Sequence, residues 1–156
     1  MFIFGHFSGV IYRDVNLKNI LISASGNLAI SDFGLAKWLS WRPPRGRTKT
    51  ICGTLAFMAP EVAGGLWYDH SVDLWSLGVL LYCLAFAKYP FSNKANDHQQ
   101  MSEILDSSNM EIRYETDKQV EEMMLNLLQF DPERRCFTLE HVDWQHENFL
   151  ETANKP

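Results

Sequence analysis

The sequence contains no glycine-rich phosphate loop. Its 9 glycines are scattered, and no G-x-G-x-x-G run occurs among the 156 residues. A backbone cradle of that kind for a nucleotide is therefore not encoded here. Cysteine is also scarce: Cys52, Cys83 and Cys136 are odd in number, widely spaced and free of any Cys-x-x-Cys step. That excludes a disulfide framework and a thiolate zinc site, and it fits a reducing compartment. No apolar run approaches the roughly 20 residues that cross a bilayer; the best candidate, residues 74–87, is too short. Residues 1–11 lack the basic start of a secretory signal. Positive charge is in deficit, with 14 Lys and Arg against 19 Asp and Glu, so no global basic field draws nucleic acid. Internal repeats are absent. The expectation is a soluble chain of the cytoplasm or nucleus, with no membrane span and no nucleic-acid partner.

What is present suits one globular domain. Hydrophobic residues make up 46% and aromatics 13%, enough to build a core at this length. The charge is unevenly distributed. Five basic residues and no acid lie between Lys37 and Lys49, whereas residues 97–151 carry fourteen acids against four Lys or Arg. Solvated helix faces account for the acidic half. Periodicity and breakers predict a helical stump over residues 1–8, ended by Gly9. They also predict a loop over residues 38–50 around Pro43, Pro44 and Gly46, and a short helix at 61–65. A long buried helix follows over 69–87, apolar nearly all round, and amphipathic helices over 96–106 and 117–129. Val120, Met123, Met124, Leu127 and Leu128 form one apolar stripe, which reads as core. Thr138 is placed to cap a last helix that includes residues 140–147.

The chemistry concentrates around one predicted hairpin. Ile20-Leu21-Ile22 and Leu28-Ala29-Ile30 are apolar and β-prone, and Ala24-Ser25-Gly26-Asn27 is turn-like. An antiparallel return brings Asp32 beside Asn19, with Asp14 on the loop just upstream. An amide and a carboxylate suit a hard cation such as Mg²⁺. The remaining carboxylate is free to accept a proton from a hydroxyl. This is equipment for phosphoryl transfer from ATP.

Five motifs in order then carry a resemblance. Gly9-Val10-Ile11-Tyr12-Arg13-Asp14 with Asn19, Asp32-Phe33-Gly34, Thr48 to Thr54 with Ala59-Pro60-Glu61, Val72 to Val79, and Asp131-Pro132-Glu133-Arg134-Arg135 together resemble the C-terminal lobe of a protein kinase. The likeness is to the AGC group of serine/threonine kinases, in its ribosomal-protein-kinase-related branch. It covers nearly the whole chain, giving a partial kinase domain over 1–150 and a tail over 151–156. The implied fold is mainly α, a helical lobe with a small β-hairpin carrying the metal site. Only Met1 to Val10 precede the catalytic loop, so the small β-rich lobe is expected to be absent and the chain weak or inactive alone.

The resemblance implies roles. Asp14 would orient and deprotonate the substrate hydroxyl, and Asn19 and Asp32 would hold Mg²⁺ with ATP. Thr54 would bond near Asp14 and shape the peptide groove. Arg13 would receive a phosphate on Thr50, placed there by an upstream kinase. Glu61 and Arg135 would form a buried ion pair, and Asp73 would fix the catalytic-loop backbone. Loss of Arg135 from such a pair would cost about 3–5 kcal/mol.

Departures from the family pattern qualify these roles. Asn16 stands where serine/threonine kinases usually have a lysine on the transferring phosphate, which removes a positive charge from the transition state. Lys18 stands where a glutamate often receives a substrate arginine, and Ala56 and Cys83 replace two further acidic contacts. A protein substrate of the usual arginine-rich type is therefore not expected. The added stretch Trp38 to Pro44 reads as a variable surface loop, with partner docking as the alternative. Two other readings remain open. One is a pseudokinase-like scaffold or binding module without turnover, favoured by Asn16. The other is a small-molecule phosphotransferase of the antibiotic or choline kinase type, disfavoured by Gly53-Thr54 and Ala59-Pro60-Glu61.

Overall fold

A computed structural model of the chain describes residues 9–40, 46–91, 104, 106 and 118–136. Four short strands, β1 Val10–Ile11, β2 Ile20–Ile22, β3 Leu28–Ile30 and β4 Lys37–Trp38, form two antiparallel pairs among these residues. The apolar triplets of β2 and β3 meet with Ile20 opposite Ile30, Leu21 opposite Ala29 and Ile22 opposite Leu28. Their turn closes through the Ser23 N–H donating to the Asn27 carbonyl at 2.9 Å. Gly26 takes φ +81° there with nothing within 4 Å of a would-be Cβ, so backbone conformation and not space favours glycine.

The second pair departs from the sequence reading, which placed a loop from Trp38 onward and no strand at residue 10. β1 and β4 pair with Val10 opposite Trp38 and Ile11 opposite Lys37. Two-residue strands carry no readable period; their pairing is fixed by tertiary approach. The Leu39 N–H donates to the Gly9 carbonyl at 2.6 Å, and Gly9 adopts φ +85°. A Cβ at Gly9 would stand 2.5 Å from the Leu39 oxygen. A further bridge joins Thr48 to Tyr68, each N–H 2.9 Å from the other's carbonyl oxygen.

Three helices have both ends among the described residues. Helix α1, Pro60–Ala63, starts with proline where the missing N–H costs nothing and stops at Gly64. Helix α2, Ser71–Phe86, begins where the Asp69 carboxylate accepts the Ser71 N–H at 3.0 Å, and ends at Ala87 in a left-handed conformation, φ +51°. Buried Val72, Asp73, Trp75, Val79, Leu80 and Tyr82 lie round most of its circumference, which makes it the central helix. Helix α3, Lys118–Leu127, turns Met124 and Leu127 inward, followed by buried Leu128. Val120 and Met123 of the same stripe are half-buried. The bounds of α2 and α3 lie one or two residues inside the predicted ones, whereas α1 starts one residue before the predicted 61–65. The helices expected over 1–8 and 140–147 lie outside the described residues. So does that over 96–106, apart from residues 104 and 106.

The core centres on Trp75, fully buried, stacked on Phe91 at 6.0 Å between centroids and edge-on to Phe130 at 5.3 Å. Arg135 lies over the same indole, 5.1 Å from its centroid. Its guanidinium forks onto Glu61, Nη1 to Oε1 at 2.5 Å and Nη2 to Oε2 at 2.8 Å, while Nε donates to the Gln129 carbonyl at 2.7 Å. Both side chains are almost wholly buried, so the pair joins α1 to the turn after α3 where water does not compete. Among the described residues, no helix is long and apolar enough to cross a membrane.

Candidate active site

The loop from Tyr12 to Asn19 is held from below by one carboxylate. Asp73, fully buried on α2, accepts the backbone N–H of Tyr12 and that of Arg13, both at 2.8 Å. These bonds bridge some sixty positions of sequence and pin the loop while Arg13 takes φ +71°. Such a conformation is uncommon for a residue with a Cβ and persists only where neighbours over-determine it.

Asp14 stands at the head of this loop with both carboxylate oxygens engaged. Oδ1 accepts the Thr54 N–H at 2.9 Å and the Thr54 hydroxyl at 2.7 Å; Oδ2 accepts Asn19 Nδ2 at 2.9 Å. Thr54 reaches it because Gly53, φ +106°, passes against the loop: a Cβ there would lie 2.5 Å from the Arg13 oxygen. Glycine at 53 is thus a requirement of close approach as well as of conformation.

Asn16 is 3% exposed. Its Oδ1 caps the turn Leu17–Asn19, accepting the N–H groups of Lys18 at 2.9 Å and Asn19 at 3.2 Å. Its Nδ2 donates to the Asp14 carbonyl at 3.0 Å and to the Thr54 hydroxyl oxygen at 3.1 Å. Because Thr54 Oγ1 accepts from Asn16, its own hydrogen is aimed at Asp14. Asn16 is therefore a positioning residue.

The hairpin brings Asn19 and Asp32 to its open end. Beyond the Ile20–Ile30 pair, the Ser31 N–H donates to the Asn19 carbonyl at 2.9 Å, and Asp32 follows. Both Asn19 Nδ2 hydrogens are taken by Asp14, the second by its carbonyl at 3.0 Å, which turns the Asn19 amide oxygen away from Asp14. Asp32, exposed and at φ +55°, uses Oδ1 to accept the Gly34 N–H at 3.1 Å. An amide oxygen and a second carboxylate oxygen remain as hard donors. Among the described residues, no group of three or more His, Cys, Asp or Glu could hold a metal ion alone. Oxygen donors of this kind fit Mg²⁺, which is usually bound through one or two carboxylates plus phosphates and waters.

Tyr12 links the two halves of the site, a role the sequence does not announce. Its hydroxyl donates to the Ser31 carbonyl, and its ring meets Phe33 edge-on at 5.2 Å. Burial raises the phenol above its ordinary range, and the charges of Asp14, Asp32 and Asp73 push the same way. All three carboxylates are therefore felt at one phenol.

The segment bearing Thr50 is anchored by Tyr68, also unanticipated. The Tyr68 hydroxyl donates to the Thr50 carbonyl at 2.5 Å and accepts from Arg13 Nη1 at 3.4 Å, with the Cys52 sulfur 4.0 Å away. Burial is the largest influence and raises the Tyr68 phenol, while Arg13 pulls it down. Arg13 also donates through Nε to the Leu35 carbonyl at 2.7 Å, and Lys37 Nζ donates to the Thr48 hydroxyl at 2.9 Å. Thr50 itself is exposed. Two cations thus flank the segment whose threonine faces solvent.

Comparison with known proteins gives the family. A family model described as "Protein kinase domain" matches residues 2–147. The human "Ribosomal protein S6 kinase-related protein" is 39% identical over 136 residues, covering 87% of this chain and 32% of that protein. Mouse "Protein kinase C delta type" is 38% identical over 132 residues, 85% of this chain and 19% of that protein. "Protein kinase C-like 1" of Candida albicans is 33% identical over 157 aligned positions, 96% of this chain and 14% of that protein. The chain spans a third or less of the length of these relatives.

Proposed function

The chain belongs to the protein kinase family, with relatives in the AGC group, and from that premise we propose that it is the catalytic lobe of a serine/threonine kinase. The observation that carries this reading is the Asp14 carboxylate, bracketed by Thr54 and Asn19 at 2.7–2.9 Å. Asp14 accepts the proton of a serine or threonine hydroxyl and holds that oxygen in line with the phosphate. Thr54, aimed by Asn16, fixes the Asp14 orientation and lines the peptide side. Asn19 and Asp32 would hold Mg²⁺ with ATP, and the cation would supply compensation for the phosphate charge.

Arg13 and Lys37 lie where a phosphate on Thr50 would find charge-assisted donors, so phosphorylation there would tighten the segment already tied by Tyr68. The enzyme adding it would be a separate upstream kinase. Lys18 opposes an arginine on the substrate. Cys83 is buried and its thiol is pushed up to about 11, so it offers no negative charge at neutral pH. The arginine-rich substrates of basophilic kinases do not suit this lobe. The proposed setting is the cytoplasm or nucleus.

A second reading, a scaffold without turnover, draws on Asn16: a buried amide leaves no lysine on the phosphate. Positioning is much of this catalysis, and these residues include no phosphate loop, so turnover by the chain alone is expected to be weak. Calorimetry of Mg²⁺-ATP with the parent and Asp32→Ala, followed by a phosphotransfer assay with Asp14→Ala, tests the proposal. Binding lost in Asp32→Ala, and a rate reduced about a hundredfold or more in Asp14→Ala, is the expected result. Unchanged ATP binding in Asp32→Ala would overturn the cation assignment. Turnover unchanged in Asp14→Ala would overturn the base.

A further inference from the structure

Residues 1–60 hold seven of the 14 Lys and Arg but two of the 19 Asp and Glu. The chain is acidic overall, yet the part that builds the site is strongly basic. Both acids in this part, Asp14 and Asp32, already have tasks in the reading above. Neither is left to pair with a cationic substrate. The next carboxylates in the chain are occupied as well. Glu61 is buried on Arg135, Asp73 is buried on two backbone N–H groups, and Asp69 caps α2.

Three of the basic side chains are exposed to solvent. Lys18 is exposed in the turn Leu17–Asn19, next to Asn19, whose amide touches Asp14. Arg47 and Lys49 are exposed on the segment paired with Tyr68, which runs on to Thr54. The ion pairs among the described residues, Arg135–Glu61 and Arg134–Asp131, involve none of these three cations. Both groups belong to segments that bond Asp14, the first through Asn19 and the second through Thr54.

We propose that the peptide accepted here is acidic, a serine or threonine flanked by Asp or Glu that pair with Lys18 on one side and with Arg47 and Lys49 on the other. The proposal rests on the kinase reading of the same site and names its substrate class. Charge complementarity of this kind acts on encounter and register more than on raw affinity, and it weakens with salt.

The test uses the 156-residue chain and three labelled peptides with one serine-containing core, flanked by Glu, by Ala or by Arg. Binding is followed by fluorescence anisotropy at low salt and at about 0.15 M, where the screening length is near 8 Å. The expected order is Glu, then Ala, then Arg, with the Glu peptide about fivefold tighter than the Ala peptide at low salt. Lys18→Glu should reverse the preference, whereas Lys118→Glu on α3 should leave it unchanged. Equal or tighter binding of the Arg peptide would overturn the proposal. So would an order unchanged in Lys18→Glu, capture of no peptide, or equal capture of a short oligo-dT strand. Anisotropy reads docking without turnover. Loss of acidic preference with intact Asp32-dependent ATP binding therefore condemns this inference alone, and the converse condemns the kinase reading alone.

Discussion

Asn16 makes four hydrogen bonds from a side chain that solvent barely reaches, and the two ends of its amide do different work. The oxygen stabilises the turn that presents Asn19. The nitrogen ties the Asp14 backbone to the Thr54 hydroxyl. Asn16→Asp keeps the first function and removes the second, placing a carboxylate against the Asp14 carbonyl oxygen. It should lower unfolding stability in urea by about 2 kcal/mol, the scale of a buried polar group left unsatisfied. A change within about 0.5 kcal/mol, the range of surface substitutions, would show that the Nδ2 bonds are dispensable. From the sequence, Asn16 was readable only as a missing lysine charge. Its inward turn depends on Thr54, 38 positions away, and no local pattern encodes that distance. Tyr12 and Tyr68 were opaque for the same reason: their hydroxyls end on the carbonyls of Ser31 and Thr50, 19 and 18 positions on or back.

At the scale of elements, legibility tracked periodicity and breakers. The β2–β3 hairpin and the long α2 helix were readable because apolar triplets flank a turn and because apolar residues surround residues 71–86. β1 and β4 were not, since two residues cannot show a period. The contact between α2 and α3 turns on a residue with no side chain. A Cβ on Gly78 would stand 2.9 Å from Leu127 Cβ and from Leu128 Cγ and Cδ2. Helix propensity favours replacing glycine by about 1 kcal/mol, but overpacking a core costs about 1–3 kcal/mol. Gly78→Val adds two methyls beyond the first carbon, so the steric cost should win. A net loss of about 2 kcal/mol is expected, measured by thermal unfolding with circular dichroism. A gain in stability would mean that α3 can shift outward without loss, contrary to the burial of Met124, Leu127 and Leu128.

Over the whole molecule, the core and the apolar surface separate cleanly. Trp75, Val79, Met124 and Leu127 are fully buried, while the β2–β3 hairpin is coated with apolar side chains left in water. Ile22 is 73% and Leu28 71% exposed, directly opposite each other, with Leu21 and Phe33 more than half exposed nearby. Trp38, Leu66, Trp67 and Leu84 are also more than half exposed, outside this hairpin. The Ile22–Leu28 pair puts two large apolar side chains in water on one face of the hairpin, which favours association. Because these side chains are exposed already, Ile22→Thr with Leu28→Thr removes little burial, and threonine retains the β-branching that strands accept. Unfolding stability should therefore stay within about 0.5 kcal/mol of the parent. Self-association, followed by light scattering across a concentration series, should fall. A stability loss of about 2 kcal/mol or more would instead mean that the pair is packed in the folded molecule, and the hairpin would then have to be counted as part of the core.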